Sequence, residues 1–141
     1  MPRRFIAALA LVVAVALAGF GATPAAAEAE DEIEEVITSQ LDAFNSRDVE
    51  AAWLFASPGI QAIFGGPERF GQMVEEGYPM VWTSEGARMA GQPDLGPGLW
   101  QEVWITDAAG ALHALGYKMV QIDGDWRIDA VVLLPPPDLG V

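Results

Sequence analysis

The sequence has no cysteine, a single histidine, and only seven basic side chains against 20 acidic ones in 141 residues. Without thiols there is no disulfide scaffold and no thiolate metal centre. A transition-metal site would want two or more imidazoles, and His113 stands alone, so no metal is expected. A net charge of −13 without a basic stripe argues against the phosphate backbone of DNA or RNA as a partner. Other reactive groups are scarce: one lysine (Lys118), two tyrosines (Tyr78 and Tyr117) and four serines. No G-x-S-x-G elbow, dinucleotide fingerprint or P-loop is present, and no cofactor is expected. What the chain does carry is 52% hydrophobic residues, which excludes a disordered acidic tail, since disorder needs low hydrophobicity together with high charge.

The apolar excess is unevenly placed. Arg3 and Arg4 precede an uncharged stretch from Phe5 to Ala27, whose apolar centre is Ile6 to Leu17. Ala25-Ala26-Ala27 then meets the acidic Glu28. A basic start, a short apolar segment and an A-x-A site make a secretory signal peptide over residues 1–27, cleaved after Ala27. No cysteine follows the apolar segment, so a lipoprotein anchor is excluded. The expected location is periplasmic or secreted, with no membrane attachment after cleavage. Loss of residues 1–27 removes two basic residues and no acid, leaving −15 on a domain of 114 residues, 28–141. That length is enough for one core without staples, and the charge reads as solubility for an exported domain.

Six of the eight residues from Glu28 to Glu35 are acidic. They lead into a helix marked by Ile33, Val36, Ile37, Leu41 and Phe44 at helical spacing. The acids are expected before or in its first turn, where the helix dipole favours negative charge. Asn45-Ser46-Arg47-Asp48 breaks this helix, and Asp48 can cap a second with Val49, Ala52, Trp53 and Ala56 on its apolar side. Ile60, Ile63 and Phe64 suggest one further turn. Gly65-Gly66-Pro67 opens a third helix that buries Phe70, Met73 and Val74, with Gly77 suited to its C-terminal cap.

From Tyr78 the period changes to two. Four strands are predicted: 80–90, bent near Ser84-Glu85-Gly86, then 99–107, 111–122 and 125–134. Asp123-Gly124 is a two-residue hairpin turn. It pairs Ile122 with Asp125 and, counted back, Lys118 with Asp129 in a structural cross-strand ion pair. One face then carries Lys118, Val120, Arg127, Asp129 and Val131. The core face carries His113, Leu115, Tyr117, Met119, Gln121, Trp126, Ile128, Ala130 and Val132. At Asp107-Ala108-Ala109-Gly110, a three-residue loop with Gly110 left-handed puts Leu99, Gln101, Val103 and Ile105 on the core face; a four-residue loop reverses this. The first is preferred. It leaves Trp100 and Trp104 on the outer face, to be covered by a second copy in a homodimer or by the C-terminal tail.

The expected fold is α+β: three N-terminal helices on a curved antiparallel sheet of about four strands. At this point the chain resembles the nuclear-transport-factor-2-like (SnoaL-like) superfamily, and more closely the exported bacterial family called domain of unknown function 4864. The resemblance rests on Gln40-Leu41-Asp42-Ala43-Phe44, Ala56-Ser57-Pro58-Gly59-Ile60, Phe64-Gly65-Gly66-Pro67-Glu68-Arg69-Phe70, Gly77-Tyr78-Pro79 and Gly124-Asp125-Trp126-Arg127-Ile128. It spans residues 31–135 and implies a cone with a cavity. The pocket candidates are Trp53, Phe64, Phe70, Tyr78, His113, Tyr117 and Met119. The chemical inventory favours a non-catalytic module that takes a small apolar ligand or a partner protein in or at that cavity. The alternative is a small acid–base enzyme, an isomerase, lyase or hydrolase, acting on an apolar molecule through a carboxylate or His113 with a tyrosine donor.

Overall fold

The computed structural model describes residues 24–137. Most of the expected signal peptide, residues 1–23, lies outside these. Among the described residues five helices come first: α1 Pro24–Asn45, α2 Val49–Leu54, α3 Pro58–Phe64, α4 Pro67–Gly77 and α5 Pro79–Trp82. Four strands follow: β1 Ser84–Gly91, β2 Leu99–Asp107, β3 Leu112–Ile122 and β4 Asp125–Leu134. They form an open antiparallel sheet in the order β1-β2-β3-β4. The chain is therefore α+β, with its helices on one face of the sheet. Helix α1 touches both β1 and β4, the two edge strands, and so lies across the sheet. Helix α5 packs on β2 and α3 on β4, while α2 and α4 complete the helical layer. Ile33, Ile37, Leu41 and Phe44 of α1 meet Val103, Ile105, Leu115 and Tyr117 of the sheet in one buried core.

The helical layer holds more elements than the three expected. The single turn around Ile60 is a seven-residue helix, capped by Ser57, whose hydroxyl accepts from the Ile60 amide at 3.2 Å. Asp48 caps α2 by accepting from the Ala51 amide at 3.1 Å. Residues 80–82, expected to begin the first strand, instead form α5. Pro79 presets its first turn, and the adjacent Met80 and Val81 are both buried, which strand alternation would not allow. Gly77 is the last residue of α4 and Tyr78 takes the cap position. The acids from Glu28 to Glu35 all lie within α1, whose described part runs from Pro24.

The break after α1 is a latch as well as a turn. Arg47 sits at φ +59° and lays its guanidinium 4.3 Å from the Trp82 ring centre. It donates to the carbonyls of Phe44 and Trp82 and, at 2.8 Å, to the Thr83 hydroxyl. Asn45 adds a two-way bond to the Ser84 backbone, at 3.0 and 2.9 Å. The end of α1 is thereby fixed to the start of the sheet.

Both hairpins follow their turn chemistry at the outset. Between β2 and β3, the Asp107 amide donates to the Ala111 carbonyl at 2.9 Å and Gly110 is left-handed at φ +86°. This is the three-residue loop, and Gln101, Val103 and Ile105 are buried beneath the helices. Between β3 and β4, Ile122 pairs with Asp125 and Met119 with Ile128. There the register slips by one, and Lys118 pairs with Ala130 rather than Asp129. Asp129 is the extra residue of a β-bulge, which exchanges the faces of Val131 and Val132. Val131, expected outside, now opposes Tyr117 on the core side, and Val132 packs outside near Gly116. The Lys118–Asp129 ion pair survives at 3.9 Å, reached from one residue along.

The bulge frees Asp129 to accept a 2.7 Å hydrogen bond from the buried Ser57 hydroxyl. Beside it, Ile128 donates to Phe55 and accepts from the Ser57 amide, both at 2.8 Å. The α2–α3 connection is thus stitched to the free edge of β4. On the outer face, cover comes partly from within the chain. Leu95 of the β1–β2 loop reaches over Gly116 beside Trp100. Arg88 lies 5.1 Å from the Trp104 ring centre, and the Trp104 indole donates to Glu102 at 2.8 Å.

Replacing Ser57 with Ala removes the α3 cap and the Asp129 bond together. The expected loss is about 1–3 kcal/mol of unfolding free energy, read from the urea midpoint with an unchanged slope.

Candidate functional site

Three short helical periods and one stretch of the sheet point at one place. On α1, Gln40 and Phe44 are one turn apart. On α3, Ile60, Ile63 and Phe64 repeat at three and four residues. On α4, Phe70, Met73 and Val74 do the same. From the sheet come Tyr117, Ile128, Ala130 and Val131, and from the α4–α5 junction Tyr78 and Val81. Together with Ala56 these side chains enclose a cavity of about 260 Å³. Its mouth is at α3, where Ile63 is 72% exposed although it lines the cavity. The volume lies just below the range typical of small-molecule sites, roughly 300–1,000 Å³.

Phe70 is the hub of the wall. Its ring centre lies 5.7 Å from Phe44, 5.5 Å from Trp53 and 5.8 Å from Phe64, all in tilted contacts. Such pairs contribute about 0.5–1.5 kcal/mol each beyond their buried area. Trp53 stands behind Phe70, a layer back from the cavity.

Only three lining side chains are polar. The Gln40 amide nitrogen donates to the Ala52 carbonyl at 3.2 Å. The Tyr78 hydroxyl donates to the Val131 carbonyl at 3.3 Å. The Tyr117 hydroxyl is fully buried and has no hydrogen-bond partner. Burial pushes its ionisation well above the usual range for a phenol, and nearby Tyr78 adds to this. Tyr117 is therefore a neutral donor at any physiological pH. Among the described residues, no carboxylate, imidazole, lysine or arginine lines the cavity.

The cavity thus gathers Phe64, Phe70, Tyr78 and Tyr117 from the sequence candidates and leaves out three. Trp53 is in the second layer. Met119 is buried in the core where β3 meets Ile128. His113 lies near the β2–β3 turn, paired with Asp107 at 2.7 Å. It shares the core-side parity of β3, but it lies four residues along the strand from Tyr117 and is turned to Asp107. Trp100 and Trp104 remain on the opposite face of the sheet.

Sequence reasoning missed Gln40, Val81 and Val131. Gln40 had a usable signal, because it falls three residues after Ile37 and four before Phe44, inside an apolar stripe. Val131 had none short of seeing the bulge. Val81 was hidden by the strand reading of residues 80–82.

A family model described as Domain of unknown function (DUF4864) matches residues 26–141. The chain belongs to this family. The DUF4864 match contains every residue that lines the cavity, together with the Ser57–Asp129 link and the Asp123-Gly124 hairpin. No curated protein and no solved structure matches the chain. No described helix is long and apolar enough to cross a membrane, and no described cluster of acidic or histidine side chains has the form of a metal site.

Away from the cavity, the Asp107 carboxylate accepts from His113 and from the Ala109 and Ala111 amides, each of those two at 2.9 Å. The His113 bond is the largest cause that holds Asp107 below its ordinary value of 3.8. A carboxyl group lowered by folding stabilises the fold above its unfolded value, and that stability is lost as pH falls through the folded one. Asp107→Asn is therefore expected to flatten the acid limb of the stability curve below pH 3.8. Urea midpoints measured at several pH values for both proteins check this; parallel acid limbs would refute it.

Proposed function

We propose that this DUF4864 chain is a non-catalytic module that holds a small, largely apolar molecule between its helices and its sheet, in a cone of the nuclear-transport-factor-2-like kind. The observation that carries the reading is the cavity of about 260 Å³, with apolar side chains on all sides and three polar groups. Two of those polar groups are tied to backbone carbonyls. Empty apolar space inside a protein forfeits packing contacts, so a molecule that fills it is stabilising.

An acid–base enzyme would need a carboxylate or imidazole within reach of Tyr78 or Tyr117. The lining supplies neither, and His113 is paired with Asp107 elsewhere. The phenols alone offer donors without a base, which favours binding over catalysis.

The test is a thermal-shift screen of small apolar compounds on the purified chain. A ligand at a hundred times its Kd adds about 2.7 kcal/mol, which corresponds to roughly 5–15 °C for a domain of this size. Ile60→Trp, placed at the rim to fill the cavity, is expected to abolish the shift while leaving the circular dichroism unchanged. No shift with any compound, together with a collapsed cavity in a crystal structure, overturns the reading.

Export is the second part of the proposal and rests on the pattern Arg3-Arg4, the uncharged stretch and Ala25-Ala26-Ala27. Mass spectrometry of the protein made in a Gram-negative host is expected to find a chain that begins at Glu28. An intact Met1 start in the cytoplasmic fraction counts against it.

A further inference from the structure

The cavity offers a guest one deep, free acceptor. Gln40 is 3% exposed and lines the cavity from α1. It follows Ile37 by three residues and precedes Phe44 by four, so it shares their inward face. Its Nε2 donates to the Ala52 carbonyl at 3.2 Å. That bond fixes which end of the amide is which, because a carbonyl can be met only by the nitrogen. The Oε1 oxygen is left over, and among the described residues no group donates to it. It is also open to the cavity, unlike the Tyr117 hydroxyl, which is fully covered by its neighbours. The Tyr78 oxygen is a second acceptor, but Tyr78 is only half-buried, at the α4–α5 junction where water can serve it.

A water on Gln40 Oε1 satisfies that oxygen while the cavity has no guest. A guest that displaces the water must bring a proton of its own, or it leaves a buried acceptor unmet. A pure hydrocarbon covers the oxygen without bonding it, and an ether or ketone sets oxygen against oxygen. A carboxylate adds a charge to the same fault. An ammonium group could donate, but no carboxylate lines the cavity to balance its charge. A neutral hydroxyl meets the oxygen without these costs. The volume sets the skeleton. An apolar cavity of roughly 150 Å³ takes benzene, so about 260 Å³ holds a substituted single ring or its like.

We propose that the cavity selects compact, uncharged phenols or alcohols, and that Gln40 is the residue that reads them, its Oε1 accepting the guest's hydroxyl proton. This rests on the apolar-cavity reading above and narrows it to a ligand class.

The experiment compares p-cresol with 4-fluorotoluene by calorimetry, on the purified chain and on Gln40→Met. The two guests have nearly the same size, and only p-cresol carries a proton to donate. The wild-type chain is expected to bind p-cresol about fivefold more tightly, as one recovered buried hydrogen bond implies. In Gln40→Met the order is expected to reverse, because the guest hydroxyl is then the unmet group, while 4-fluorotoluene binding changes by less than about twofold. Loss of the Ala52 bond in this variant acts on both guests alike, so the ratio of their affinities reports the hydroxyl alone. Should Gln40→Met fail to fold, carbon-13 spectra of the wild-type chain decide. The Gln40 side-chain carbonyl resonance is expected to move with p-cresol and to stay in place with 4-fluorotoluene.

Equal wild-type affinities, or tighter binding of 4-fluorotoluene, overturn the inference and leave the apolar-cavity reading standing. A p-cresol preference that persists in Gln40→Met overturns it too, because another acceptor such as Tyr78 then reads the hydroxyl. Equal movement of the Gln40 carbonyl resonance with both guests has the same force. No binding of either guest overturns both the inference and the reading beneath it.

Discussion

One extra residue in β4 governs how the two layers meet. A two-residue hairpin at Asp123-Gly124 would run a regular ladder to the end of the strand, and the bulge at Asp129 interrupts it. Three consequences follow from that single insertion. The Asp129 carboxylate reaches the Ser57 hydroxyl at 2.7 Å, so the α2–α3 connection is held against the strand edge. Val131 turns inward, opposite Tyr117, and becomes cavity wall. Val132 turns outward to pack near Gly116 and Trp100. A bulge also bends its strand and increases its twist. That twist suits a sheet whose one face must wrap an irregular helical layer.

The cavity is what remains of a packing problem solved incompletely. Helices α1, α3 and α4 each present an apolar stripe, yet α3 is only seven residues long and sits at the rim. It cannot bury all of its stripe against β4 and against Phe70 at once. Ile63 is left exposed over the opening while Phe64 completes the aromatic group around Phe70. The few polar groups inside are tied to backbone, with Tyr117 the exception.

How much of this was legible in the sequence depended on whether a local rule was enough. The Asp123-Gly124 turn, the three-residue loop at Gly110 and the strands 99–107 and 125–134 all follow from turn chemistry and alternation. The helix periods of α1 and α4 were equally plain, and Phe70 and the α3 residue Phe64, both read as core or pocket wall, fall in the lining of the cavity. The failures share a cause: each needed a long-range contact to override a local pattern. Met80 and Val81 read as strand until α5 packs on β2. Asp129 reads as an outward strand residue until Ser57 claims it. His113 has the right parity for the cavity but the wrong height along the strand, and a sequence alone contains no scale for height. Trp100 and Trp104 were correctly placed outside, while Leu95 and Arg88, which help to cover them, lie on neighbours brought close by the sheet.

The strand order β1-β2-β3-β4 has a bearing on how the chain reaches this state. Every ladder joins neighbours in sequence through a short connection, so loop-closure entropy is small and the sheet can zip up from its own hairpins. The stitch between Ser57 and Asp129 joins positions 72 residues apart, and a contact of that separation forms late because its entropy must be met first. The helical lid is then the last part to dock and the first to loosen. The cavity opens beside α3, at the part of the helical layer that this late contact ties to the sheet.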